Sequence, residues 1–189
     1  RLRLLFERQA ESLAQAIRER LDDYLDVLHA FESFYANVPE VSRQAFYTFA
    51  QRFFARYPGL QALSLALRVP DAQREDYEQA VRREGFADFQ IMEQTAPGVL
   101  VRAARRPEYI AVTYIEPWAG NEAAFGLDIE SVPDRLEAVQ QARDTGQPTA
   151  TGRLSLVQDP DRASGLLILL PLYGPALQHA TLEERRQNL

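Results

Sequence analysis

The chain has no lysine: all 21 of its basic residues are arginine. That removes Schiff-base chemistry and the phosphate-binding lysine of P-loops. Cysteine is also absent, which excludes disulfides, thiolate metal sites and cysteine nucleophiles. The only two histidines, His29 and His179, lie far apart in the chain, and a histidine metal site or triad has no second half beside either of them. No glycine-rich phosphate loop occurs. No run of 18 apolar residues occurs, so nothing in the sequence reads as a membrane span, and no secretory signal peptide is visible. The net charge is −6 and the pI about 5.1, which argues against nucleic acid as a partner. The one dense basic group, Arg102, Arg105 and Arg106, reads as a solvated surface.

What remains is an ordinary globular composition, 46% hydrophobic and 25% charged over 189 residues. Residues 1–36 contain neither glycine nor proline. Their apolar positions, Phe6, Ala10, Leu13, Ile17, Leu21, Tyr24, Leu28, Phe31 and Tyr35, follow steps of three and four. A helix of that length is about 50 Å long, more than a compact module needs. It reads as a stalk or as a helix that pairs with a second chain. The chain opens on Arg1, already within this helical pattern, and so reads as a piece of something longer.

Val38-Pro39 stops the first helix, and Ser42 can cap a second over Arg43–Tyr57, ended by Pro58-Gly59. The period then becomes two. Leu63, Leu65, Leu67 and Val69 alternate with Ala62, Ser64, Ala66 and Arg68, which predicts a strand with one apolar face. A helix over Ala72–Glu84 is closed by Gly85, and short strands are expected at Phe89–Gln94, Val99–Ala103 and Tyr109–Glu116. Ser131 to Asp134 has the form of a capping box, with Pro133 in the first turn of a helix that ends near Thr145 before Gly146. Strand Thr149–Gln158, a polar hairpin loop Asp159–Ser164 and the apolar run Gly165–Pro171 follow. That run suits a central strand buried on both faces. The order predicts an α+β fold: a long N-terminal helix, then a mixed, mostly antiparallel sheet with helices on one side.

Two places carry information about a site. On the strand Tyr109–Glu116, alternation puts Ile110, Val112, Tyr114 and Glu116 on one face. An apolar face ending in a phenol and a carboxylate is either a pocket wall or a strand that has run past the sheet edge into water. The second place is Thr151, which by strict alternation faces with Thr149 and Arg153. A bulge at Gly152 is needed for it to share a pocket with Leu154.

Several segments together resemble the CHASE domain, the extracytoplasmic sensor domain of transmembrane histidine kinases and diguanylate cyclases, best known from plant cytokinin receptors. They are Tyr109 to Pro117, Gly120-Asn121, Phe125 to Asp128, Asp134-Arg135, Ala142 to Gly146 and Pro171 to Tyr173, with Arg68-Val69 and Arg74 to Glu78 upstream and Thr181 to Arg186 downstream. The resemblance covers roughly residues 40–189. It implies a stalk helix (1–38), a second helix packed on it (39–58), a membrane-distal PAS-like module (59–175) and a linking helix (176–189) that leads toward a membrane-proximal module. It implies no cofactor and no enzymatic activity in this piece. It also implies a periplasmic location with membrane contact only through spans outside it, and a homodimer formed through the N-terminal helix.

The family's ligand-binding aspartate position falls on Pro117, which has no side-chain acceptor, with Glu116 beside it. A family threonine matches Thr151, and apolar pocket positions fall near Leu154, Leu156, Leu167 and Leu169. The expected ligand is a small molecule, sensed with Tyr114, Glu116 and Thr151 as polar tips. The alternative is a structural or protein-interaction module without a small ligand. An enzyme is the weakest of the three readings.

Overall fold

The computed structural model describes residues 2–38, 40–154, 165–174 and 177–189. Helix α1 covers Leu2–Asn37, as its apolar stripe predicts, and α2 covers Arg43–Phe54. The Ser42 hydroxyl accepts the Ala45 N–H at 3.2 Å and caps α2. The second half of α1 packs on α2. Phe31 meets Phe46 edge-on at 5.5 Å between ring centres and Phe49 at 5.1 Å, a geometry that suits the ring quadrupoles. The phenylalanines of α2 are therefore core. Together with Val27 they close over Leu63 and Leu65 of the first strand.

That strand, β1 (Leu63–Pro70), pairs antiparallel with β4 (Glu108–Glu116). The register shifts in the middle: Leu65 lies opposite Tyr114, but Ala66 lies opposite Val112. Thr113 is thus an extra residue, a bulge. Its buried backbone, unpaired in the ladder, is satisfied from far away in sequence. The Thr113 carbonyl accepts Arg43 Nη1 at 2.6 Å, and its hydroxyl donates to the Ala111 carbonyl at 3.0 Å and pairs with the Tyr77 hydroxyl. The bulge has a direct consequence for the predicted face. Ile110 and Val112 stay on the Arg68 and Ala66 side, whereas Tyr114 and Glu116 move to the Leu65 and Leu63 side. The four residues do not share a face.

The far edge of β4 is extended by the segment 126–128. Val112 N–H donates to the Leu127 carbonyl, Gly126 N–H to Val112, Met92 N–H to Gly126, and Asp128 N–H to Met92, all at 2.8–3.0 Å. Beyond it lie β2 (Met92–Ala96) and β3 (Val99–Arg102), an antiparallel pair. The class is α+β. Helices α1, α2 and α3 (Arg74–Arg83) pack on the Leu63, Leu65 and Tyr109 side. Helix α4 (Pro133–Thr145) takes the other side, over Ile110 and Val112, because β4 is apolar on both faces where β1 is apolar mainly on one.

A buried ion network fastens α3 to the sheet. Glu78 is 1% exposed. Its Oε1 accepts Arg74 Nε and the Ile91 N–H, both at 3.0 Å, and its Oε2 accepts Arg82 Nη2 at 3.0 Å and Arg102 Nη2 at 3.1 Å. Arg74, equally buried, also donates to the Ala103 carbonyl and the Tyr109 hydroxyl. Burial acts to raise the Glu78 pKa, but the Ile91 N–H and the arginines outweigh it and hold the carboxyl below its ordinary range.

Two details near α4 differ from expectation. Ser131 does not cap it. It belongs to a 3-10 turn, Ile129–Ser131, where its hydroxyl donates to the Asp128 carbonyl at 2.6 Å, and Val132 stands at the N-cap with no side-chain bond. The helix ends at Thr145 as predicted, with Gly146 left-handed at φ 70°. The apolar run Gly165–Pro171 is not a buried central strand either. Its only strand among the described residues is the two-residue β6 (Ile168–Leu169), paired with β5 (Thr149–Ala150), and Leu166 is 50% exposed. Composition marks such a run as apolar but does not name its partner. Here its leucines border an opening instead of filling a sheet. The predicted loop Asp159–Ser164 and the end of the strand toward Gln158 lie outside the described residues.

Helix α5 (Leu182–Asn188) carries a full capping box between Thr181 and Glu184 and is tied back to α4 through Asp144. The carboxylate accepts Arg186 Nη2 at 2.6 Å and Nε at 3.0 Å, and Arg143 Nε at 2.8 Å. The hydrogen bonds from Arg186 and then Arg143 hold the Asp144 carboxyl far below the ordinary carboxylate range. A depressed folded pKa gives stability that is present above the ordinary carboxylate value of about 3.9 and lost as pH falls through the folded one. Asp144→Asn should therefore release α5 at neutral pH, seen as faster amide hydrogen exchange over 182–188. Global stability should fall by no more than about 1 kcal/mol, since the pair is partly solvated. Acidification below about pH 4 should loosen α5 more in the wild type than in the variant, where only the Glu184 capping box, whose carboxyl is also held below its ordinary range by the Thr181 N–H, is left to titrate.

A candidate ligand cavity

Beside β1, on the edge away from β4, the chain leaves a cavity of about 990 Å³. It is bounded by Tyr24, Val27, Leu28 and Phe31 of α1, by the whole run 59–68, and by Val139, Ala142 and Arg143 of α4. The segments 151–153 and 165–172 close the far wall. Its existence follows from topology. Strand β1 has one paired edge, toward β4; among the described residues no strand covers the other. Helix α1 and helix α4 stand on opposite faces of the sheet, so the space between them opens along that edge.

The walls are mainly aliphatic. The charged side chains that border the cavity are all arginine: Arg68, Arg143 and Arg153, with no aspartate or glutamate among the described lining residues. Arg68 is held by Glu108 through two contacts of 2.6–2.7 Å. Arg143 Nε is held by Asp144. The Tyr173 hydroxyl donates to the Arg143 carbonyl, and burial raises the Tyr173 pKa.

Of the residues the sequence singles out, Thr151, Leu167 and Leu169 are brought together on this cavity. The Thr151 hydroxyl donates to the Gly152 carbonyl at 2.9 Å and accepts the Leu167 N–H at 3.0 Å. Its proton is therefore taken, and one lone pair is left for a ligand donor. Strand β5 ends at Ala150 and the chain bends through Gly152-Arg153, so Thr151 and Leu154 are both buried; Leu154 sits behind the wall, bridged to Gly165. Leu156 lies outside the described residues.

Tyr114 and Glu116 are elsewhere. On the opposite face they border a small pocket of about 50 Å³ together with Arg43, Phe46, Phe86 and Trp118. The Tyr114 hydroxyl donates to the Val41 carbonyl at 2.9 Å. The Arg43 guanidinium lies over the rings of Phe86, Tyr114 and Phe125 at 4.6–5.3 Å and pairs with Glu84. Burial raises the pKa of both Glu116 and Tyr114. This pocket has room for a water-sized group, not for a metabolite.

The wall contributed by α1 was not legible as a site. Tyr24, Leu28 and Phe31 stand in the sequence as one helical stripe, and a stripe does not distinguish residues packed on a neighbour from residues facing a void. The histidines stay apart: His29 pairs with Glu32, and His179 stacks on Tyr173 at 4.7 Å. Among the described residues no group of three His, Cys, Asp or Glu could hold a metal ion. Among the described residues no helix is long and apolar enough to cross a membrane.

One family model, described as the CHASE domain, matches residues 39–189. No curated protein matches the chain.

Proposed function

The chain belongs to the CHASE domain family, a family of extracytoplasmic, sensory and non-catalytic domains of signalling receptors, and from that premise we propose that it senses a small molecule for a bacterial transmembrane receptor. The observation that carries the reading is the cavity. Small-molecule sites hold roughly 300–1,000 Å³, with mostly apolar walls and a few polar groups. This space, at about 990 Å³, lies at the upper end. In this reading it is the site of a membrane-distal, PAS-like module over residues 59–175 in a periplasmic domain.

The position of the cavity also suggests how a signal leaves it. Helix α1 supplies part of the wall, so a ligand touches the same helix that runs out of the module. A ligand favours whichever α1 placement it contacts better, and it shifts the population only by that difference in affinity. The first half of α1 is uncovered by its own chain, with Phe6, Leu13 and Ile17 exposed. Burial of that stripe against a second copy makes a homodimer in which two α1 helices carry the change to an output domain.

Leu167→Trp tests the reading. The indole should fill part of the cavity, leave the circular dichroism spectrum unchanged, and abolish the rise in Tm that a bound small molecule gives the wild type. The panel is purines, amino acids and carboxylates. Equal Tm responses of variant and wild type to every binder would remove the cavity from the account.

A further inference from the structure

The elements around the cavity meet it in two different ways. Helix α4 and strand β4 present one face each: α4 through Val139, Ala142 and Arg143, and β4 through the alternate residues Ile110 and Val112. Two other segments border it with consecutive residues, 59–68 and 165–172. Neighbouring residues of a strand point to opposite faces, so an unbroken run borders a space when that space lies along the strand's edge. Among the described residues no strand pairs with the edge of β1 away from β4 or with the edge of β6 away from β5.

The direction of each main-chain group follows from the pairing. Val112 N–H donates to the Leu127 carbonyl, the Val112 carbonyl accepts Gly126 N–H, and Ile110 N–H donates to Asp128 Oδ1. Both residues therefore turn their main-chain groups away from β1. Their partners across the ladder, Ala66 and Arg68, turn theirs away from β4, and alternation along β1 adds Ser64. On the far wall Thr151 N–H donates to the Leu167 carbonyl, so Leu167 faces β5 and its neighbours Leu166 and Ile168 face outward. All five outward residues line the cavity. It is edged by main-chain donors and acceptors that recur every second residue, about 7 Å apart.

We propose that the ligand of this cavity is a short extended peptide with apolar side chains, and that it binds as an added strand on the open edge of β1, pairing with Ser64, Ala66 and Arg68. This rests on the sensing reading above and adds the chemical class of the ligand. An open strand edge is a template whose complement is another extended main chain, and peptides that add to sheet edges draw their affinity from main-chain hydrogen bonds. Side chains of the added strand alternate between the two sides of the sheet. On one side they meet Leu28 and Phe31 of α1, on the other Val139 and Ala142 of α4. Both walls are apolar, so consecutive apolar residues fit, as in a strand covered on both faces.

The test uses the whole chain, with calorimetry and residue-resolved amide hydrogen exchange. The probe is acetyl-Leu-Val-Leu-amide, compared with two forms methylated on the main-chain nitrogen of the second or of the third residue. Adjacent nitrogens of a strand point to opposite edges, so one of the two methyl groups faces β1. At least one methylated form should bind about tenfold more weakly than the parent, because it loses a hydrogen bond and leaves a carbonyl of β1 covered without a partner. In the free protein the Ala66 and Arg68 amides should exchange fast and the Leu67 amide, paired with β4, slowly. At ten times its Kd the parent peptide should slow the Ala66 and Arg68 amides about tenfold.

Equal affinity of the parent and both methylated forms overturns the inference, since the peptide main chain is then not read. Ala66 and Arg68 amides as protected as Leu67 in the free protein overturn it too, since the chain itself then covers the edge. So does a protein that leaves the parent peptide unbound but takes up another small molecule in a way that Leu167→Trp abolishes, and that result leaves the sensing reading intact. Failure of the sensing reading looks different: neither the peptides nor any purine, amino acid or carboxylate is bound.

Discussion

Replacing Glu78 by alanine should lower the free energy of unfolding by about 3–5 kcal/mol, the range for removing one partner from a buried ion pair. The loss exceeds that of an exposed salt bridge because of what is left behind. Arg74 keeps its charge at 2% exposure and loses its carboxylate, and the buried Ile91 N–H loses its side-chain acceptor. Arg82 and Arg102 lose the same partner, but they reach water and contribute little. Glu78→Gln should recover only part of the loss, since the amide retains the shape and an acceptor but not the charge. Denaturant titration measures both. The linked pH dependence has a definite sign. The folded pKa of Glu78 is depressed, so its contribution is present above the ordinary glutamate value of about 4.3 and declines as pH falls through the folded one. The wild type should lose stability on acidification more steeply than Glu78→Gln.

Gly126→Ala should cost more than an ordinary glycine substitution, about 3 kcal/mol or above. Two causes add. Gly126 has φ +84°, where a Cβ costs about 1–2 kcal/mol. In addition, an added Cβ would stand 2.6 Å from the Gln90 carbonyl oxygen, a backbone atom that can move only with β2. The same residue receives and donates in the ladder that joins β4 to β2, through Val112 and Met92. Gly120→Ala provides the comparison: its φ is +88°, but nothing lies within 4 Å of the added atom. The difference between the two variants isolates the steric part. Equal losses would mean that β2 yields freely to the clash.

Much of this architecture was legible in the sequence where the determinants are local. The stripe from Phe6 to Tyr35 predicted α1, Ser42 predicted the start of α2, and Gly146 predicted the end of α4, because each acts within one or two turns of the backbone it controls. What was not legible depends on distant groups. The bulge at Thr113 is held by Arg43, 70 residues away, and by Tyr77, 36 residues away. No pattern within Tyr109–Glu116 announces it, and yet it decides on which face Tyr114 and Glu116 lie. Ser131 looked like a cap because its spacing to Asp134 is right, but Asp128 and Gln94 engage it first. The site divides in the same way. Thr151, Leu167 and Leu169 were visible through family resemblance. The α1 wall was not, since the edge of a strand left uncovered is a property of the assembled chain.

The most direct test of the central claim is retention of a small molecule. The purified protein is incubated with a deproteinised metabolite extract, desalted and denatured, and the released compounds are identified by mass spectrometry, with Leu167→Trp treated in parallel. The account predicts a compound held near one per chain by the wild type and absent from the variant. Indistinguishable profiles from the two proteins, with no compound approaching that stoichiometry, would contradict it.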